Sequence, residues 1–137
     1  MLDPQKQQKP PYAWKEVPGT GIQRLELEWL RSSALSDSHT FDEAHLAIIR
    51  DEVAGRLEDQ TTRGVAIDFS QTEGGLTSLL SVLESLNRKA AANQKTLALI
   101  GVDPQTIKLM EVLQVYHIFH IYSNVGEVKK AYHRTKH

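Results

Sequence analysis

The spacing of apolar and polar positions changes period several times along the chain, and each change marks an element. From Tyr12 to Val17 and from Ile22 to Leu30 the pattern is that of strands with one buried face. Ile22, Leu25, Leu27 and Trp29 largely alternate there with Arg24, Glu26 and Glu28. The Pro18-Gly19-Thr20-Gly21 cluster between the two is a turn, so this region predicts an N-terminal hairpin. Beyond a serine-rich loop the period becomes helical. Thr40 and Glu43 stand at capping-box spacing, and Leu46, Ile49, Val53 and Leu57 form one stripe of a helix that ends near Asp59.

The second half reads as alternating strands and helices. Val65 to Phe69 and Leu97 to Gly101 are short apolar runs of the kind that make strands buried on both faces. Between them Leu76, Leu79, Leu80, Leu83 and Leu86 keep one helical face, so the stretch predicts a βαβ unit with parallel strands and a right-handed crossover. Asp103-Pro104 supplies a capping side chain and a proline at the first helical position, which starts a helix running to about Gln114. Ile118 to Tyr122 reads as a last strand, and Val125, Val128 and Tyr132 space a closing helix. The expected class is α/β, a mixed sheet of four to five strands with about four helices. It forms a single domain over 12–137, preceded by a disordered tail, 1–11, too rich in Pro, Gln and Lys to bury a core.

Composition narrows the function classes. The 137 residues suffice for one core. Sixteen Lys and Arg against seventeen Asp and Glu leave a net charge of −1, which gives no general attraction to nucleic acid. Cysteine is absent, which removes disulfides, thiolate metal sites and thiol nucleophiles and fits a reducing compartment. No run of apolar residues reaches spanning length, so no membrane insertion is expected, and the chain reads as cytoplasmic. Of six histidines His117 and His120 are the closest pair, and in a strand they would point to opposite faces. Neither a metal nor any other cofactor is expected.

Three positions could carry chemistry. Gly74-Gly75 lies between a strand and a helix, where nucleotide-binding folds cradle phosphate, but neither the dinucleotide nor the P-loop fingerprint is complete. Asp68 stands near the carboxyl end of the first central strand, where it either serves function or caps the turn through Ser70. Thr77 and Ser78 begin the following helix. A hydroxyl there is ordinarily a cap, yet a phosphoryl group at that place would be held by the helix dipole and would add about two negative charges to a packed surface.

The order of elements, together with particular residues, resembles the STAS domain of bacterial anti-sigma factor antagonists. Val65-Ala66-Ile67-Asp68-Phe69-Ser70 is similar to the family's strand ending in Asp-Leu/Phe-Ser. Placed without a gap, Leu76-Thr77-Ser78-Leu79-Leu80 then falls on the family's Asp-Ser-Ser-Gly-Leu segment. Leu97 to Val102, the helix after Asp103-Pro104, and His117 to Tyr122 resemble the strand, helix and phenylalanine-containing strand that follow, so the likeness runs from about residue 12 to 133.

The resemblance implies a protein without catalysis of its own that docks on a kinase-type anti-sigma factor. Thr77 would be the phosphoacceptor, with Ser78 second in line. Ser70, Thr72, Glu73, Gly74, Gly75, Leu76 and Ser81 would be the partner-binding surface. Leu76 and Leu79 stand where phosphorylated members usually carry Asp and Gly. That departure points to the alternative of a constitutive accessory subunit of a transporter ATPase or a signalling scaffold. A third reading, a small nucleotide-binding domain or enzyme using Gly74-Gly75 and Asp68, would show itself as nucleotide-dependent stabilisation.

Overall fold

A computed structural model describes residues 12–27, 43–70 and 79–133. The hairpin is present: β1 (Tyr12–Val17) pairs antiparallel with β2 (Ile22–Leu27). Residues 28–30 of the expected longer strand, the capping Thr40 and the 1–11 segment lie outside the described residues. Thr20 closes the turn. Its hydroxyl donates to the Val17 carbonyl at 2.7 Å and accepts from the Ile22 amide at 3.0 Å, which accounts for a fully buried threonine in a tight turn.

There follow α1 (Glu43–Leu57), β3 (Gly64–Asp68), α2 (Leu80–Ala92), β4 (Thr96–Ile100), α3 (Pro104–Val112), β5 (His120–Tyr122) and α4 (Val125–Tyr132). The five strands form one sheet in sequential order, with β2 to β5 all parallel. Neighbouring strands joined by crossovers that always advance the same way place each intervening helix on the same face. Ile49, Val53 and Leu57 of α1, Leu80, Leu83 and Leu86 of α2 and Met110 of α3 accordingly share one core with Leu25, Val65, Ile67, Leu97 and Leu99.

The opposite face carries the other parity of the strands and, among the described residues, α4 is the helix that covers it. Val128 packs there on Ile22, Ala66, Ala98 and Ile100. Ala66 and Ala98 are register partners in adjacent strands, and their small side chains leave room for an eight-residue helix to sit close. Both ends of α4 are fixed. Asn124 Oδ1 accepts from the Glu127 amide at 3.0 Å while Glu127 Oε1 accepts from the Ser123 amide at 2.7 Å, a reciprocal cap. At the other end Arg63 donates to the Tyr132 carbonyl at 2.9 Å, and the Tyr122 and Tyr132 hydroxyls meet at 2.8 Å. Burial, and then that hydroxyl contact, push the Tyr132 phenol above the ordinary tyrosine range.

One expected element is different. The stretch read as a strand from Ile118 begins only at His120, and Tyr116–Ile118 is instead a short 3-10 turn. The reason is the end of α3. Gln114 takes a left-handed backbone (φ 61°), the Val115 amide reaches back to Met110, and the Ile118 and Phe119 amides then close on Val115 and Tyr116. His117 therefore sits in this turn, outside the strand that His120 begins.

Candidate functional site: the carboxyl edge of the sheet

Because β2 to β5 are parallel, their carboxyl ends lie together at one edge of the sheet, the edge where open α/β folds bind. At its centre is Asp68, only 3 % exposed, at the end of β3. Its Oδ1 accepts from the amide of Ser70 at 2.9 Å and from the Ser70 hydroxyl at 2.5 Å. Its Oδ2 faces Arg24 Nη1 at 3.3 Å, and the same guanidinium holds Glu26 through Nη2 at 2.9 Å. The turn-capping role read from the sequence is thus present, and an ion pair across two strands adds to it. A carboxylate this buried needs such partners, since burying an unpaired charge is costly.

Arg24 and Glu26 belong to this edge although the alternation of β2 made them look like residues of a solvated face. The register sets Glu26 beside Asp68. They lie on the face covered by α4, beyond the reach of that short helix. With Ser70, Ile100 and the start of α4 from Ser123 to Gly126 they line a cleft of about 400 Å3. The signal available in the sequence was parity: Arg24 and Glu26 share a strand face with Ile22, which is fully buried.

Gly101 was also missed. It follows β4 with φ 68°, and a Cβ built on it would stand 3.0 Å from both Cα and Cβ of Ser70. A side chain there would meet backbone as well as strain its own, so glycine permits the close approach that sets the position of Ser70. The Phe69 amide donates to the Ile100 carbonyl at 2.8 Å, which ties the exit of β3 to that of β4.

Of the residues expected to form the site, the structure places Ser70, exposed at the mouth of the cleft, and Ser81, exposed in the first turn of α2. Ser81 is not part of the cleft lining. Thr72, Glu73, Gly74, Gly75, Leu76, Thr77 and Ser78 lie outside the described residues. Leu79, which stands at the family's glycine position, is fully buried and belongs to the core beneath the helices. Among the described residues no three His, Cys, Asp or Glu side chains gather as they would around a metal ion, and no helix is long and apolar enough to cross a membrane.

Residues 35–128, more than half of the chain, match the STAS domain. The chain belongs to the STAS domain family. The folds of solved members agree with that assignment. An anti-sigma factor antagonist STAS domain protein from Planctomyces limnophilus aligns with TM-score 0.67 at 17 % identity, over 88 % of this chain and 96 % of its own. A putative anti-sigma factor antagonist from Thermotoga maritima aligns with TM-score 0.70 at 13 % identity, over 90 % and 95 %. The Bacillus cell fate determinant SpoIIAA, solved in its phosphorylated form, aligns with TM-score 0.60 at 9 % identity, over 88 % and 98 %. No curated protein matches this STAS chain.

Proposed function

We propose that this STAS protein acts as an anti-sigma factor antagonist that docks, through the surface from Ser70 to Ser81, on a kinase-type anti-sigma factor and so releases the sigma factor. The observation that carries this reading is the anchoring of Ser70. A buried carboxylate, a neighbouring strand's arginine and the glycine at 101 fix Ser70 at the exit of β3, seven positions before Thr77 in the sequence. The likeness in fold to anti-sigma factor antagonists, and to SpoIIAA solved in its phosphorylated form, supports the reading.

The partner supplies ATP and the catalytic groups, so this chain needs none of its own. Phosphorylation at Thr77, or at Ser78 in its place, would add about two negative charges and weaken docking through repulsion and the cost of desolvating them. The reading as a constitutive accessory subunit of a transporter ATPase or scaffold rests on Leu76 at the family's aspartate position. Leu79 gives it no support, because that side chain is in the core and offers nothing to a partner.

Affinity capture from a lysate of the native organism, with bound proteins and bait phosphorylation read by mass spectrometry, tests the proposal. An anti-sigma kinase together with phosphate at Thr77 or Ser78 is the expected result. An ATPase or scaffold with unmodified bait would replace it by the accessory-subunit reading.

A further inference from the structure

Among the described residues the two faces of the sheet are covered unequally. On one face α1 buries Ile49, Val53 and Leu57, and α2 buries Leu80, Leu83 and Leu86. On the other, α4 contributes one fully buried side chain, Val128, while Val125 and Tyr132 are only partly covered. Two of the residues beneath it, Ala66 and Ala98, are alanines, so lifting the helix would expose little apolar area there.

The polar contacts of α4 hold it to the sheet less firmly than they hold the helix itself. The bonds between Asn124 and Glu127 and between Ser123 and Glu127 join residues of one turn, and they survive if the helix leaves the sheet. Among the described residues, the polar ties to other elements end on Tyr132: Arg63 donates to its carbonyl at the exposed surface, and the Tyr122 hydroxyl meets its own. An exposed bond of this kind is largely replaced by bonds to water. Eight residues also make a helix that has little stability away from its seat. Removing it breaks no strand pairing, since α4 lies on a face of the sheet and the core under α1 and α2 is on the other side.

This loosely held helix is also a wall. Ser123 to Gly126, at its start, line the cleft of Arg24, Glu26, Asp68 and Ser70. We infer that α4 is a strap that leaves and regains the sheet as a unit while the rest of the chain stays folded, so that the cleft beside Ser70 has a walled form and an open form. A molecule bound against Ser123 to Gly126 selects the walled form and slows the opening. The inference stands apart from the docking reading, because it uses only what holds α4 in place.

Native-state hydrogen exchange of the full chain, followed residue by residue by NMR, tests it. The amides of Val128 to Tyr132 should share one protection factor, at least about a hundredfold below that of the amides in β3 and β4. Leu83→Ala, in the core on the far face, gives the decisive comparison, because it promotes global unfolding but not an opening in which that core is kept. It should speed exchange in β3 and β4 about thirtyfold and leave α4 unchanged. Ile49→Val removes a single methyl group from the same core and keeps the comparison readable should Leu83→Ala not fold, with an expected factor of about five in the strands and none in α4. Val128→Ala should instead speed α4 and the strands alike, since both openings start from a native state that has lost the same contact. Protection of α4 equal to that of β3 and β4, acceleration of α4 by Leu83→Ala or Ile49→Val to the same extent as the strands, or unequal protection within Val128 to Tyr132 overturns the inference and leaves the docking reading intact.

Discussion

The two ends of the parallel sheet differ in how their polar groups are spent. At the amino-terminal end, loops are tied down by cations that donate to backbone carbonyls. Arg63 reaches the Tyr132 carbonyl and, at 3.5 Å, that of Thr20, while Lys95 Nζ bonds the carbonyls of Asp59 and Thr62. Asp59 accepts from the Thr61 amide and hydroxyl, and chiefly the hydroxyl bond holds its carboxyl below the usual aspartate range. At the carboxyl end the polar groups cluster around one buried aspartate and two clefts open. One end closes the chain on itself, and the other is the edge proposed to dock.

Substitutions that break one end should therefore leave the other readable. The largest loss of stability is expected from Gly64→Ala at the amino-terminal end. A Cβ there would stand 2.4 Å from the Thr96 carbonyl oxygen in a buried parallel pair, which should cost about 3 kcal/mol in chemical denaturation. Gly101→Ala at the carboxyl end should cost about 2 kcal/mol, from the strained positive φ and the push against Ser70. It should also weaken partner binding, as Gly64→Ala in its folded fraction should not. A Gly101→Ala protein that binds normally would detach the position of Ser70 from docking.

Asp68→Asn removes the charge that faces Arg24 and should destabilise by about 1–2 kcal/mol, with a loss of affinity beyond the loss of stability. Arg63→Ala should cost about 1 kcal/mol and leave binding untouched, since its contacts all lie at the far end. The smallest effect is alkaline. The Tyr132 phenol is raised in the folded protein, so its contribution is complete below the unfolded tyrosine value of about pH 10 and is lost as pH rises above it. Tyr132→Phe should flatten that part of the stability profile, and an unchanged profile would show that the pair of hydroxyls carries no weight.

Much of the fold was legible in the sequence because its signals are local. The apolar runs at 65–69 and 97–101, the Asp103-Pro104 start and the stripe from Leu46 to Leu57 each mark an element within a few residues. The 3-10 turn at 116–118 was not legible, because it follows from how the end of α3 turns back and its residues alone read as a strand. The site was legible only in part. Asp68 and Ser70 could be paired from their spacing, whereas Arg24 and Glu26 join them through a register that spans more than forty positions of sequence. Likewise Gly101 shows its importance only where β4 passes β3.

The central claim is that docking belongs to the carboxyl edge and is opposed by charge at Thr77. The most direct test measures the affinity of the captured partner for wild type, Thr77→Glu and Arg63→Ala, each at equal folded concentration. The account predicts that Thr77→Glu loses at least tenfold in affinity, as added charge at an interface should cause, while Arg63→Ala binds as wild type does. Equal binding by Thr77→Glu would contradict it, and a loss confined to Arg63→Ala would move the interface to the opposite end of the sheet.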